Sequence, residues 1–280
     1  MSAAGFLNII RPANAVMAGV ASVVAYLIAT GTLVPAALLL FVVVVLITAA
    51  GNVINDYYDA EIDAVNRPDR PIPSGQVSRN AALWYAFLLF AAGIAASLFT
   101  NVFCIAFAVF NTLLLVAYAA RLKSMPVVGN VAVAYLSGSM FLFGGAFAGT
   151  DGLIHLVPLA VMTFLAMMAR ELLKDAEDVE GDAAGGASTL PIRIGVTKTA
   201  YCAFVFVLLS VLASLAPVLW WGVPYLVMIG IVDLILIAAA YRALHCDSPG
   251  CVRNSGASMA LKYSMFASLI VFVLSVLFLG

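Results

Sequence analysis

The chain is a succession of long apolar runs separated by short polar junctions. A run of roughly 18 or more apolar residues can cross a bilayer as a helix. Such runs occur at 13–31, 34–55, 80–100, 102–120, 127–149, 153–170, 199–219, 222–241 and 258–279, which predicts about nine spans. The junctions at Gly31–Thr32 and Thr100–Asn101 are so short that the helices flanking them must pack antiparallel. The expected fold is an all-α integral membrane bundle. Residues 1–280 are expected to form a single transmembrane domain, because no long polar stretch divides the chain.

Composition agrees with that pattern. Of 280 residues, 65% are hydrophobic and 10% charged, against about 25% charged in ordinary soluble domains. A soluble all-α core so poor in charge would lack the polar surface to stay dispersed. The formal net charge of −1 suggests neither a nucleic-acid partner nor a polybasic lipid-binding face, and no obligatory protein partner is evident. Arg11-Pro12 leads directly into the first span, so no separate signal peptide is expected. Cys104 and Cys202 fall inside spans and read as small apolar packing residues. Cys246 and Cys251, next to His245, fall two ligands short of a zinc pattern, and a reduced pair in a loop is expected.

The position of the charges adds orientation. With nine spans, every Lys and Arg (Arg11, Arg67, Arg70, Arg79, Arg121, Lys123, Arg170, Lys174, Arg193, Lys198, Arg242, Arg253 and Lys262) lies on the N-terminal side of the membrane. The opposite junctions hold only Asp151 and His155 as ionisable groups. The positive-inside rule makes the charged face cytoplasmic, with the C-terminus on the other side.

Two polar segments on that face, 56–79 and 171–198, hold most of the acids and resemble one another. Each is an acidic helix end, then a Pro/Gly turn, then a hydroxyl residue and a base before a new span. Ser78 and Thr197 are candidate N-caps. The similarity suggests a pseudo-repeat of four-helix units, with spans 2–3 matching 6–7 and a ninth helix added.

In the first segment Asn55, Asp59 and Asp63 recur at i, i+4 and i+8, so they form one stripe of a helix prolonging span 2, and Asn52 and Asp56 make a second stripe close by. In the second, Asp175, Asp178 and Asp182 stand at i, i+3 and i+7, with Glu171, Glu177 and Glu180 around them. Carboxylates stacked this way repel, more strongly where a helix leaves the membrane and the dielectric is low. Solvated helix ends with ordinary ion pairs are one answer. The other is a hard divalent cation, since Mg²⁺ takes oxygen ligands from one or two carboxylates plus substrate phosphates. Arg67 and Arg70 on a proline-stiffened turn, and Arg121 and Lys123 after span 4, are candidate diphosphate ligands; the last two serve equally as topology signals. Asp233, inside span 8, is either a functional intramembrane acid or one satisfied by a hydroxyl or backbone group.

These residues resemble the UbiA-type intramembrane prenyltransferases. That family carries N-x-x-x-D-x-x-x-D after its second helix, matched by Asn55, Asp59 and Asp63, and D-x-x-x-D after its sixth, matched by Asp178 and Asp182. The runs Gly51–Asp59, Asn66–Gly75 and Arg170–Asp182 are similar to an archaeal ether-lipid branch of the family. The lysine that many members place four residues after a tyrosine is absent: Arg121 and Lys123 stand at +3 and +5 from Tyr118.

The resemblance implies Mg²⁺-dependent transfer of a geranylgeranyl group from its diphosphate to the hydroxyl of geranylgeranylglyceryl phosphate. It implies Asp59, Asp63, Asp178 and Asp182 as catalytic residues and these with Asn55, Asp56 and Asp175 as metal ligands. Arg67, Arg70, Arg121 and Lys123 would bind diphosphate, and Arg11, Asn14, Arg170 and Lys174 the phosphate-bearing lipid acceptor. Phe141, Phe143, Phe147 and Met168 are possible walls of the cavity for the prenyl tails. An aromatic, tetrapyrrole or haem acceptor is the nearest alternative, and an ion-coupled transporter the alternative of another class.

Overall fold

The computed structural model describes residues 1–279, apart from the side chain of Asn66. It is helical throughout: α1 (Ala3–Ile9), α2 (Pro12–Thr30), α3 (Leu38–Asn66), α4 (Arg79–Ser97), α5 (Val102–Ala120), α6 (Val128–Phe147), α7 (Thr150–Glu177), α8 (Val179–Ala184), α9 (Leu190–Ile194), α10 (Val196–Ala213), α11 (Val218–Leu244), α12 (Pro249–Ser255) and α13 (Ala257–Phe278). Among the described residues nine helices are long and apolar enough to cross a membrane, namely α2 to α7, α10, α11 and α13. The expected bundle and span count are therefore both present. The outside is covered with large apolar side chains such as Trp84, Phe87, Leu113, Leu219 and Leu234, a surface suited to lipid and hostile to water.

Where helices meet, small residues let backbones approach, as packing without a hydrophobic drive requires. A Cβ on Gly144 of α6 would lie 2.4 Å from the Ser22 carbonyl oxygen of α2. One on Gly138 would lie 2.7 Å from the Ala160 carbonyl oxygen of α7. Two apolar cores result. The first is built mainly from α3, α4 and α5 with contributions from α1, α2 and α6. The second joins α7, α10, α11 and α13 with parts of α2 and α6. The division falls close to where the pseudo-repeat places it, and α13, packing on α11, α7 and α2, belongs to the second half.

Two of the longest helices carry acids beyond what a bilayer needs. α3 has 29 residues, or ~44 Å at the α-helical rise, against a hydrocarbon core of about 30 Å. Its last turns therefore leave the apolar slab, carrying Asp59 and Asp63 with them, and Asp56 stands at its edge. α7, with 28 residues, does the same for Glu171 and Asp175. Ser78 caps α4 as expected, its hydroxyl accepting from the Ala81 N–H at 3.2 Å. Thr197 does not cap α10: Gly195, at φ 90°, takes that position, and the Thr197 hydroxyl donates to the Cys246 carbonyl at 3.1 Å. Cys246 and Cys251 are joined as a disulfide rather than reduced. Asp233 accepts a 2.7 Å hydrogen bond from the Ser214 hydroxyl, which satisfies it structurally.

Candidate active site at the charged mouth

The first acidic segment is a scaffold of ion pairs. Arg11 sits at the N-cap of α2 in a left-handed conformation, φ 49° and ψ 70°, which a non-glycine residue adopts only where the surroundings hold it. That turn brings its guanidinium 2.5 Å from Asp56 Oδ1. Arg70, on the turn after α3, reaches Asp56 at 3.2 Å and Asp63 at 2.5 Å. Both carboxylates are almost fully buried, with 4% and 8% of their side-chain surface exposed. Asn55 donates to Asp59 Oδ2 at 2.9 Å, and Lys123 pairs with Asp59 Oδ1. Lys123, not the exposed Arg121, is thus the base that the loop after α5 delivers here. Arg67 is exposed at the end of α3 and has no ionic partner among the described residues.

The second segment is built differently. α7 ends at Asp178, whose φ of −107° breaks the helix, and α8 starts one residue later. Asp175, Asp178 and Asp182 are consequently not one stripe: they sit on the end of α7, on the break, and on α8. Asp175 accepts a 2.8 Å bond from the Asn130 amide of α6. Asp178 is 3.8 Å from Arg253, itself 65% exposed, and Arg253 also donates to the Glu177 carbonyl at 2.7 Å. Neither Asp175 nor Asp182 has a cationic partner within salt-bridge distance among the described residues. Burial, reinforced by the neighbouring Asp178 charge, pushes the Asp182 carboxyl up from its ordinary range, while Thr189 and Lys174 pull it down. Thr189 faces Asp182 with its buried hydroxyl oxygen short of hydrogen-bond geometry.

The two segments adjoin. A Cβ on Gly185, just past α8, would lie 2.7 Å from Ile62 Cδ1 of α3. The Ser188 N–H donates to the Ser124 carbonyl at 3.1 Å. Tyr118, at the end of α5, lies within electrostatic reach of Glu171, Asp175, Asp59 and Asp182 together.

This donor set fits a hard divalent cation. Among the described residues no three carboxylates already surround one point, so there is no closed protein cage. The oxygens are those of carboxylates and an amide, and two of the carboxylates lack a counter-charge. Mg²⁺ is ordinarily held in this way, by a few carboxylates completed with water and substrate phosphate.

Beside the mouth, a cavity of about 620 Å³ opens between α2, α6, α7 and α13. Its wall includes Arg11, Asn14, Arg170 and Lys262 with an otherwise mostly apolar lining. Of the residues expected to meet the acceptor, Arg11, Asn14 and Arg170 are brought together here; Lys174 is exposed and does not line the cavity. Arg11 belongs to both places, since it lines the cavity and bonds Asp56. Phe141 forms part of the wall, whereas Phe143, Phe147 and Met168 do not. Asn130, Arg253 and Lys262 were not singled out as site residues in the sequence. Asn130 and Lys262 left a faint signal, as polar residues at the charged ends of apolar runs.

The fold and the charged mouth define a multi-pass, all-helical membrane protein. Residues 17–278 match the UbiA prenyltransferase family, and the chain belongs to that family. It is 61% identical over 279 residues to digeranylgeranylglyceryl phosphate synthase of Methanoregula boonei, with 100% of both chains covered. A solved structure described as digeranylgeranylglyceryl phosphate synthase in membranes shares 36% identity, covers 98% of each chain and superposes with a TM-score of 0.84. A UbiA homologue from Archaeoglobus fulgidus, solved bound to DMAPP and Mg²⁺, shares the fold at 16% identity and a TM-score of 0.68, with 95% of this chain and 98% of that one covered.

Proposed function

We propose that the protein transfers a geranylgeranyl group from geranylgeranyl diphosphate to the hydroxyl of geranylgeranylglyceryl phosphate, in a Mg²⁺-dependent reaction. The observation that carries this reading is the junction at Arg11, where a paired acidic mouth meets a largely apolar cavity with a basic rim. The similarity to digeranylgeranylglyceryl phosphate synthases along the full chain supports the choice of acceptor.

Asp59, Asp63, Asp178 and Asp182, with Asn55, Asp56 and Asp175, are the residues that would hold the metal and through it the diphosphate. Bound Mg²⁺ supplies charge stabilisation for the departing diphosphate. Arg70 and Lys123, which pair with the acids of α3, would add theirs, as would the exposed Arg67 and Arg121. Electrostatic stabilisation by preorganised donors is the main catalytic contribution such a site can make. In the reaction the allylic C–O bond breaks, diphosphate leaves, and the acceptor oxygen forms the new ether bond to that carbon. The hydroxyl proton passes to a carboxylate of the mouth or to the released diphosphate. The apolar walls keep water from the electron-poor allylic carbon.

Segments 56–79 and 171–198 would cap this site within one transmembrane domain. The excess of Lys and Arg on that face supports a cytoplasmic location for the mouth and the N-terminus.

The test is turnover by purified protein given geranylgeranyl diphosphate, Mg²⁺ and either geranylgeranylglyceryl phosphate or an aromatic acceptor. The expected product is the ether lipid, with loss of turnover in Asp59→Ala and Asp178→Ala proteins that still insert and fold. An aromatic product alone would replace the acceptor, and unchanged turnover in both variants would sink the catalytic assignment.

A further inference from the structure

The rim of the cavity carries more donors than its own acids consume. Arg11 is engaged by Asp56, and Arg170 pairs through one guanidinium nitrogen with Glu171. The Arg170 Nε is nevertheless buried without any hydrogen-bond partner. Lys262, near the start of α13, has no anionic partner among the described residues, and it too lines the cavity. A lysine serving only as a topology signal needs nothing more than water and headgroups. This one, exposed at one end, also lines the same cavity as Arg170, whose walls include Met17, Met140, Met162, Met265 and Phe272.

Leaving a buried guanidinium N–H unpaired costs stability, and with Lys262 also unpaired the arrangement favours a ligand that brings acceptor oxygens and negative charge. The shape of the cavity limits which anion. A volume of about 620 Å³ is that of a site for an extended organic ligand, and most of its lining is apolar. The ligand therefore needs a long apolar part and one compact anionic end. A phosphate monoester near neutral pH carries about −1.5 to −2 charges and several strong acceptor oxygens, which suits one guanidinium plus one ammonium. A carboxylate brings one charge and two oxygens where a phosphate monoester brings more of both, and a neutral aromatic head brings no charge at all.

We propose that Arg170 and Lys262 form a subsite for the phosphate monoester of a lipid whose apolar tail lies in this cavity. Its identification as the acceptor's subsite rests on the prenyl-transfer reading above. With the phosphate held there, the rest of the head group is directed toward Arg11 and Asp56, where the cavity joins the acidic mouth. Arg170 and Lys262 then discriminate a phosphorylated acceptor from an alcohol of the same skeleton.

The experiment measures equilibrium binding to the purified full-length chain in nanodiscs, with geranylgeranylglyceryl phosphate, geranylgeranylglycerol and inorganic phosphate as probes. Wild type is expected to hold the phosphorylated lipid at least about tenfold tighter than the alcohol, equivalent to ~1.4 kcal/mol. Lys262→Gln should remove most of that preference while leaving affinity for the alcohol unchanged. Arg170→Gln should act in the same direction, and Lys262→Gln keeps the test decisive should the partner of Glu171 prove necessary for folding. Equal binding of the two lipids by wild type, or a preference intact in Lys262→Gln, overturns the proposal. Inorganic phosphate that competes as well as the phosphorylated lipid overturns it in favour of a free-phosphate site. A turnover assay separates the two readings. A Lys262-dependent preference without any ether product leaves the subsite standing and removes the catalytic assignment. Ether product with an unchanged acceptor KM in Lys262→Gln, and an unchanged KM for geranylgeranyl diphosphate, does the reverse.

Discussion

The two acidic segments look alike in sequence and are opposites in electrostatics. On α3 each aspartate has a cation: Arg11 and Arg70 on Asp56, Arg70 on Asp63, Lys123 on Asp59. On α7 and α8 Asp175 has only an amide, Asp178 has a distant and exposed arginine, and Asp182 has no more than the Thr189 hydroxyl beside it. The first segment is close to neutral before any ligand arrives, and the second is not. A pair of carboxylate arms need not share a ligand equally. The compensated arm offers structure and cations already gathered for phosphate. The uncompensated arm offers the negative charge that a divalent cation would neutralise.

On this reading, removing charge from the second arm has the largest effect. Asp175→Asn keeps the shape and retains an oxygen that can accept from Asn130, so the change is electrostatic. Loss of one transition-state charge contact in a low-dielectric site is worth roughly 10²–10³ in turnover. A loss of that order in Asp175→Asn, together with a rise in the Mg²⁺ concentration needed for half-maximal rate, is expected in steady-state assays. A variant whose Mg²⁺ requirement matches wild type would show that the two arms share the metal in some other way.

The first arm should answer in stability. Arg70 is 18% exposed and bonds two carboxylates that are almost fully buried. Removing one member of a buried pair leaves an uncompensated charge and costs about 3–5 kcal/mol. Arg70→Gln should therefore lower the unfolding midpoint even without metal. Adding Asp63→Asn should recover much of the loss, because the two sites share a partner and are not additive. Thermal unfolding of the single and double variants in the same detergent checks this. Independent, additive losses would mean that the Arg70–Asp63 bond contributes little.

How far the sequence goes is instructive at particular residues. The spans were legible because apolar runs of bilayer length have no soluble explanation, and the stripe of Asn55, Asp59 and Asp63 because α3 continues as one helix through all three. The same periodicity misled at Asp182, since the break at Asp178 is a backbone event with no proline or glycine at that position to announce it. Lys123 could not be preferred over Arg121 from spacing alone; a short 3-10 turn at Leu122–Ser124 decides which base turns toward Asp59. Arg11 was readable as a base near the site, but its left-handed turn onto Asp56 was not. Asn130 lies far in sequence from Asp175, which it bonds, and Lys262 far from the other residues of the cavity rim. Only helix packing reveals them, as it reveals that Lys174 is not among the residues lining the cavity.

The smallest effect is the most diagnostic of the contrast. Burial, with the Asp178 charge second to it on the unfavourable side, raises the folded-state pKa of Asp182 above the ordinary 3.8. The folded protein then holds that proton more tightly than the unfolded chain. Stability must fall as pH rises through the window from the ordinary value to the raised one, and stay reduced above it. Asp182→Asn removes the ionisable group, so the metal-free variant should gain on wild type when the pH is taken from about 4 to about 8. Unfolding midpoints in chelator at the two pH values measure the gain. With Mg²⁺ and prenyl diphosphate added, the order should reverse, because wild type alone keeps the carboxylate that the ligand stabilises. The corresponding change in the first arm, Asp63→Asn, should show no such reversal on its own: it discards an ion pair that is already made, so the variant is the weaker protein with and without ligand. If both variants behave alike in chelator, the electrostatic asymmetry between the arms is not what distinguishes them.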